Sequence, residues 1–225
     1  MRALRCLLLA LALPTASASW LRRRRPSQIA HLNDSFSQVK RDLPVIPLLS
    51  ACEDLATAMR ALGQTRSAQE LEKNIGKVDR KSHRTVEELL RYEKSLGIHG
   101  KGGGLKDPSS AMGLLWIRRA LAFQLKWYEL ILASDDVSPG VAAMQAYEAE
   151  LEPYHGWALR KIYRTALSAT APKDTETMLH RMDASSLPTE DIRLDLLTLL
   201  ATWSPLVSQW KKLHIQLDLE DTRQS

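Results

Sequence analysis

Leucine, alanine and other apolar side chains recur at spacings of three and four along almost the whole chain, and runs that alternate residue by residue are nearly absent. That period is helical. It predicts helices at 27–38, 44–62, 67–79, 83–97, 109–134, 139–151, 153–169, 173–183 and 188–214. Some ends carry their own chemistry. Pro153 and the run Pro188-Thr189-Glu190-Asp191 suit first turns, which tolerate proline and favour acid. Gly63 and Gly97 follow periodic stretches, where C-terminal stops fall. Gly100 to Gly104 reads as a flexible loop; no strand precedes it and no Gly-Lys-Ser/Thr follows, so it is not read as a phosphate cradle. No internal repeat and no sustained heptad is present. The pattern predicts an all-α domain whose wide apolar arcs favour a layered body over a minimal bundle.

The helix at 109–134 breaks the simple picture. Met112, Trp116, Ala120, Phe123 and Trp127 share one face, and Leu114, Ile117, Leu121 and Leu125 share nearly the opposite one. A helix apolar on both sides is central, yet this one carries Trp116, Arg118 and Arg119. Either the arginines snorkel to the ends or pair with carboxylates, or an aromatic plate with a cation beside it floors a pocket for a polar headgroup. Three further positions carry paired readings. Glu70, Asn74 and Lys77, at spacings of four and three, form a solvated polar face or a set that can bind vicinal hydroxyls or an amide. His155 shares a face with Ala158, Leu159, Ile162 and Ala166, so it points inward as a core residue or as a ligand contact. Trp157 lies among Arg160, Lys161 and Arg164, either as a partly covered surface side chain or at the level of lipid headgroups.

Composition narrows the classes. The chain has 225 residues, a formal net charge of +5 and a pI near 9.3, which suits an anionic partner, membrane or nucleic acid. The basic residues are spread, and no helix-turn-helix or RNA-binding signature stands out, so no nucleic acid is expected. No HExxH, zinc-type Cys/His pair, GxSxG or P-loop appears; no enzyme activity, metal or cofactor is expected. At the N-terminus, Arg2 and Arg5, the run Cys6 to Leu13 and Ala16-Ser17-Ala18 read as a signal peptide over 1–19, too short to span a bilayer. Arg22 to Arg25 oppose translocation of that run. They read alternatively as a processing site or a charged linker. The expected organisation is this leader, a basic segment with a short helix at 20–41, and one domain at 42–225. A working leader places the chain in the secretory pathway or outside the cell; otherwise it works in the cytosol with transient membrane association. Once Cys6 leaves, Cys52 is unpaired, and it reads as a small core residue.

Three motifs together resemble the glycolipid transfer protein family over most of the chain after about residue 42: N-I-x-K at Asn74-Ile75-Gly76-Lys77, L-x-W-x-x-R-x-L from Leu114 to Leu121, and A-Y-E-x-x-L…Y-H-G-W from Ala146 to Trp157. The resemblance implies a two-layer helical sandwich carrying one sphingolipid, its tails in an apolar tunnel between the layers. Asn74 and Lys77 would hydrogen-bond the headgroup, Trp116 would stack under the first sugar, and Arg119 would line the site. His155 would bond the ceramide amide carbonyl, and Trp157 would dock on the membrane. Glu70 is kept as a site residue. It stands where the family usually has aspartate, and its extra methylene shifts its reach toward the ceramide amide N–H. The segment from Gly63 to Asn74 is shorter than the family's, and Arg66 replaces common aromatics. The phosphate-binding branch typically has a cation at the position of Trp116, so tryptophan favours a sugar, although Lys77, Arg118 and Arg119 can satisfy a phosphate. The expected activity is non-enzymatic sphingolipid binding and intermembrane transfer by a monomer in peripheral contact with membranes. Glycosphingolipid is favoured and ceramide 1-phosphate is second. The alternative is a lipid sensor or scaffold that signals through a protein partner.

Overall fold

A computed structural model describes residues 27–39, 41–134, 136–183 and 187–224. The expected leader and the four arginines at 22–25 lie outside them. The described chain forms α1 (Gln28–Ser37), α2 (Val45–Ala61), α3 (Thr65–Ile75), α4 (Val86–Ser95), α5 (Ser110–Ala133), α6 (Pro139–Glu150), α7 (Trp157–Thr170), α8 (Thr175–Met182) and α9 (Thr189–Gln216). Among the described residues the one β-type pairing is an isolated bridge between Pro44 and Thr85. No described helix is long and apolar enough to cross a membrane.

Short polar side chains open these helices. Ser27 Oγ accepts from the Ala30 amide at 2.7 Å, Ser109 Oγ from Met112 at 3.1 Å and Asp174 Oδ1 from Thr177 at 2.7 Å. Thr85 and Glu88 cap α4 reciprocally. Each such bond satisfies a first-turn N–H that the helix itself leaves unpaired. After α2 and α4 the chain leaves through Gly63 and Gly97, whose φ values are +79° and +63°.

Two predicted spans change. The helix expected at 67–79 stops at Ile75. Gly76, Lys77 and Val78 turn back, their amides donating to the carbonyls of Glu72, Asn74 and Ile75. Lys77 therefore sits beyond the helix and not on its face. The helix expected at 153–169 also divides. Glu152–Tyr154 is a single 3-10 turn, His155 is extended, and α7 starts only after the extended Gly156. Glycine is the poorest helix former after proline, and it breaks the run where periodicity alone continued it. His155 thus owes its inward position to an extended link and not to a helix face.

The helices pack as two layers, with α5 central and in contact with α3, α4, α6 and α9; α1 lies on α2 and α9. Leu114, Ile117, Leu121 and Tyr128 of α5 are fully buried, as are Phe36, Trp203 and Trp210. The Phe36 and Trp203 rings meet edge to face at 4.8 Å, a preferred aromatic geometry. Cys52 is a buried free thiol whose pKa is pushed up by burial.

Two features fix α5, one against α4 and one against α3. Glu93 is buried, and its carboxylate accepts from the Ser110 and Ala111 amides at 2.8 Å each, an anion on the positive end of α5. Gly113 supplies the close approach: a Cβ there would lie 2.6 Å from the Asn74 carbonyl oxygen and 3.1 Å from Lys77 Cβ. Any larger residue would drive the two elements apart. Trp116, three residues on, is thereby brought beside Asn74 and Lys77.

Candidate functional site

An open cavity of about 270 Å³ lies where α3, α5 and α7 converge. Glu70, Asn74, Lys77, Trp116 and His155 all line it, and Met59, Leu71, Phe123, Leu151 and Leu159 give it apolar walls. It joins a polar rim to a hydrocarbon interior.

The rim is pre-positioned by bonds within the chain. Asn74 is nearly buried, and its Nδ2 donates to the Glu70 carbonyl at 2.8 Å. The Glu70 carboxylate lies 3.5 Å from Lys73 Nζ and is half in water. Lys77 Nζ meets Asp107 Oδ1 at 2.8 Å. The Trp116 and His155 rings stack at 5.5 Å with 25° between planes. Behind them Tyr147 and Tyr163 stack at 5.7 Å, and Tyr163 lies 4.8 Å from the His155 ring.

His155 is buried, and its Nδ1 lies 3.1 Å from the Tyr147 hydroxyl. Burial first, then the Arg119 and Arg160 cations, push its pKa down to about 4. Burial and nearby Glu152 push the Tyr147 hydroxyl up to about 12. At neutral pH both groups are therefore uncharged. In the tautomer that accepts the phenol's hydrogen bond at Nδ1, the imidazole proton sits on Nε2 and the ring offers a hydrogen-bond donor. Arg160 fixes the link from the other side, its Nε donating to the His155 carbonyl at 2.7 Å.

Arg119 stands apart from these five. It lines a neighbouring recess of about 280 Å³ that shares Trp116 and Asp107 with the cavity. Its guanidinium carbon lies 3.4 Å from the Tyr154 ring centre and 5.2 Å from that of Trp116. It donates to Glu220 Oε1 at 3.2 Å and to the Asp221 carbonyl. Arg118 Nη2 reaches both Glu220 oxygens at 2.6 Å. Asp221 in turn accepts from the Leu105 amide at 2.8 Å and from the Arg223 guanidinium. Arg119, expected to line the headgroup site, thus lies in the adjoining recess, where it holds the C-terminal segment and stands beside Trp116.

Trp157, the first residue of α7, is 81% exposed. Among its expected cationic neighbours, Arg164 is held by Glu148 and Glu152 at 3.0 and 2.8 Å, while Lys161 is exposed.

Sequence reasoning passed over Asp107, Tyr147 and Tyr163. Tyr147 falls inside the A-Y-E motif and was open to notice. Asp107 lies on the loop before α5, and nothing local marks it.

Residues 43–183 match the glycolipid transfer protein family. Glycolipid transfer protein 3 of Arabidopsis thaliana is 24% identical over 186 residues, which cover 79% of this chain and 76% of the relative. Glycolipid transfer protein A of Xenopus laevis is 27% identical over 145 residues, 60% of this chain and 66% of the relative. Among solved structures, the human ceramide-1-phosphate transfer protein in complex with 12:0 ceramide-1-phosphate superposes with a TM-score of 0.71 at 20% identity, covering 85% of this chain and 97% of that one. The chain belongs to the glycolipid transfer protein family and has its two-layer all-α fold.

Proposed function

We propose that this protein is a non-enzymatic carrier that lifts one ceramide-based lipid from a membrane and delivers it to another, with a glycosphingolipid preferred to ceramide 1-phosphate. The observation that carries this reading is the cavity rim: an aromatic plate, Trp116, stacked on a neutral donor, His155, with Asn74 and Lys77 beside it and apolar walls below. The Trp116 face suits the C–H face of a sugar. An uncharged imidazole N–H suits an amide carbonyl. The tails enter by parting Met59, Leu71, Phe123 and Leu159, and their burial contributes ~0.8 kcal/mol per CH₂. The rim contributes selectivity, because a buried donor left unpaired costs ~1–3 kcal/mol. Trp157 docks the open end on the bilayer, where an amphipathic indole settles among headgroups. The protein works as a monomer in peripheral contact with membranes. A functional leader places this work in the secretory pathway, which N-terminal sequencing of protein made in animal cells reads directly.

Mass spectrometry of lipid extracted from the purified protein is expected to find a glycosylated ceramide. A vesicle-to-vesicle assay is expected to show substoichiometric protein moving many lipids. Binding without transfer would overturn the carrier reading in favour of a sensor that signals through a protein partner.

A further inference from the structure

The cavity and the recess behind it present several cations, and those nearest Trp116 are already matched. Lys77 Nζ lies 2.8 Å from Asp107, Arg118 and Arg119 hold Glu220 at 2.6 and 3.2 Å, and Arg223 holds Asp221 at 2.6 Å. Lys73 lies 3.5 Å from Glu70. Arg66 also lines the cavity, but at its far side, eight residues before Asn74 on α3 and roughly 12 Å from it along the helix axis. Asp107 differs from the other carboxylates in its place. It lines both the cavity and the recess, as Trp116 does, and its side chain is 56% exposed.

We infer that Asp107 is the residue that sets the headgroup class, admitting a sugar beside Trp116 and turning a phosphate away. This rests on the carrier reading above. A phosphate monoester carries close to two negative charges and is held by cations free to turn toward it. Here the ammonium it would meet, that of Lys77, is neutralised by a carboxylate that would itself lie against the phosphate and repel it. A sugar makes the opposite demand. Its hydroxyls are donors that need acceptors, and an ionised carboxylate offers about four lone-pair sites, of which Lys77 takes one. Hydroxyls laid over Trp116 find acceptors in Asp107 and a donor in Lys77, with no charge left unbalanced. A site built this way rejects the wrong headgroup by leaving its own polar groups unpaired.

The test uses the full chain and phosphatidylcholine vesicles carrying either a monohexosylceramide or ceramide 1-phosphate with the same tails. Transfer of both lipids is measured for the parent protein, for Asp107→Asn and for Asp107→Ser, with thermal unfolding as the check that each variant is folded. The parent is expected to prefer the monohexosylceramide. In both variants that preference is expected to fall about tenfold, with sugar transfer decreasing and ceramide 1-phosphate transfer increasing. An unchanged ratio in folded variants overturns the inference, and so does a parent protein that prefers ceramide 1-phosphate. A parent protein that binds neither lipid is a different result, because it removes the carrier reading and the inference with it.

Discussion

On one side of Trp116, Lys77 meets Asp107 across an open cavity. On the other, Arg118 and Arg119 meet Glu220 within the body of the protein. The side chains are of the same kinds and the distances are similar, but the surroundings differ. Lys77 and Asp107 are 14% and 56% exposed, whereas both arginines are 3% exposed and Glu220 is 16%. A pair whose carboxylate stands largely in water can offer that carboxylate's remaining acceptor sites to a ligand while the pair stays closed. A buried one is costly to open, because removing a partner strands the remaining charge. Position relative to water, more than residue type, therefore separates the pair that can answer a ligand from the pair that holds the fold.

The strongest way to break this comparison is to remove the rear anion. Glu220→Ala leaves two buried guanidinium groups without their carboxylate and is expected to lower stability by on the order of 3 kcal/mol. In a chain of this size that lowers the melting temperature by roughly 10 °C. Calorimetry that finds the parent's melting temperature would show that the rear pair is not structural.

A smaller effect is expected at the plate between the two sides. Trp116→Ala should leave a folded protein but reduce monohexosylceramide transfer by about 10- to 100-fold, the loss of ~1–3 kcal/mol of contact with the ring. Transfer at the parent's rate would remove the stacking role.

His155 sharpens the comparison through pH. Its folded pKa of about 4 lies below the ordinary value of 6.5, and His214, buried against Arg118, is pushed down to about 3. Both are neutral in the folded protein, while the unfolded chain takes up protons below pH 6.5. Stability is thus unaffected by these groups above pH 6.5 and falls as the pH drops from 6.5 toward 4. His155→Gln is expected to flatten part of that decline in a series of melting curves, and identical curves would show that His155 does not contribute to it. Lipid binding by the parent should hold between pH 7.5 and 5, since His155 stays neutral throughout.

The smallest effect on stability is expected at Trp157. Because the side chain is exposed, Trp157→Ala should leave the melting temperature unchanged, yet reduce vesicle association about tenfold in a sedimentation assay. Equal loss of vesicle association and of lipid binding would show that it belongs to the cavity.

Much of the architecture could be read before any coordinates, because each helix buries a wide apolar arc and burial imposes the 3.6-residue period. The errors fall at Gly76 and Gly156, where backbone preference overrides a periodicity that runs on through neighbouring residues. Asn74, Lys77, Trp116 and His155 were legible through short motifs, and the structure gathers them at one cavity. The setting of Arg119 was hidden for a physical reason. Its spacing from Trp116 is local and visible, whereas its partner Glu220 lies 101 residues away in the chain. Asp107 escaped for the same reason, since only the packing of its loop against the end of α3 brings it to Lys77.

The indoles among the described residues are unequally shared with solvent. Trp127, Trp203 and Trp210 are sealed in the core, Trp116 is partly covered, and Trp157 stands in water. In a Trp20→Phe protein, which removes the one indole outside the described residues, an aqueous quencher such as iodide will therefore darken Trp157 first and leave the core emission bright. Protection of that quenchable fraction on adding bare vesicles reports arrival at a bilayer, and a further spectral change on adding cargo reports Trp116. The molecule thus carries a two-channel optical gauge that follows docking and loading as separate events, with no dye attached.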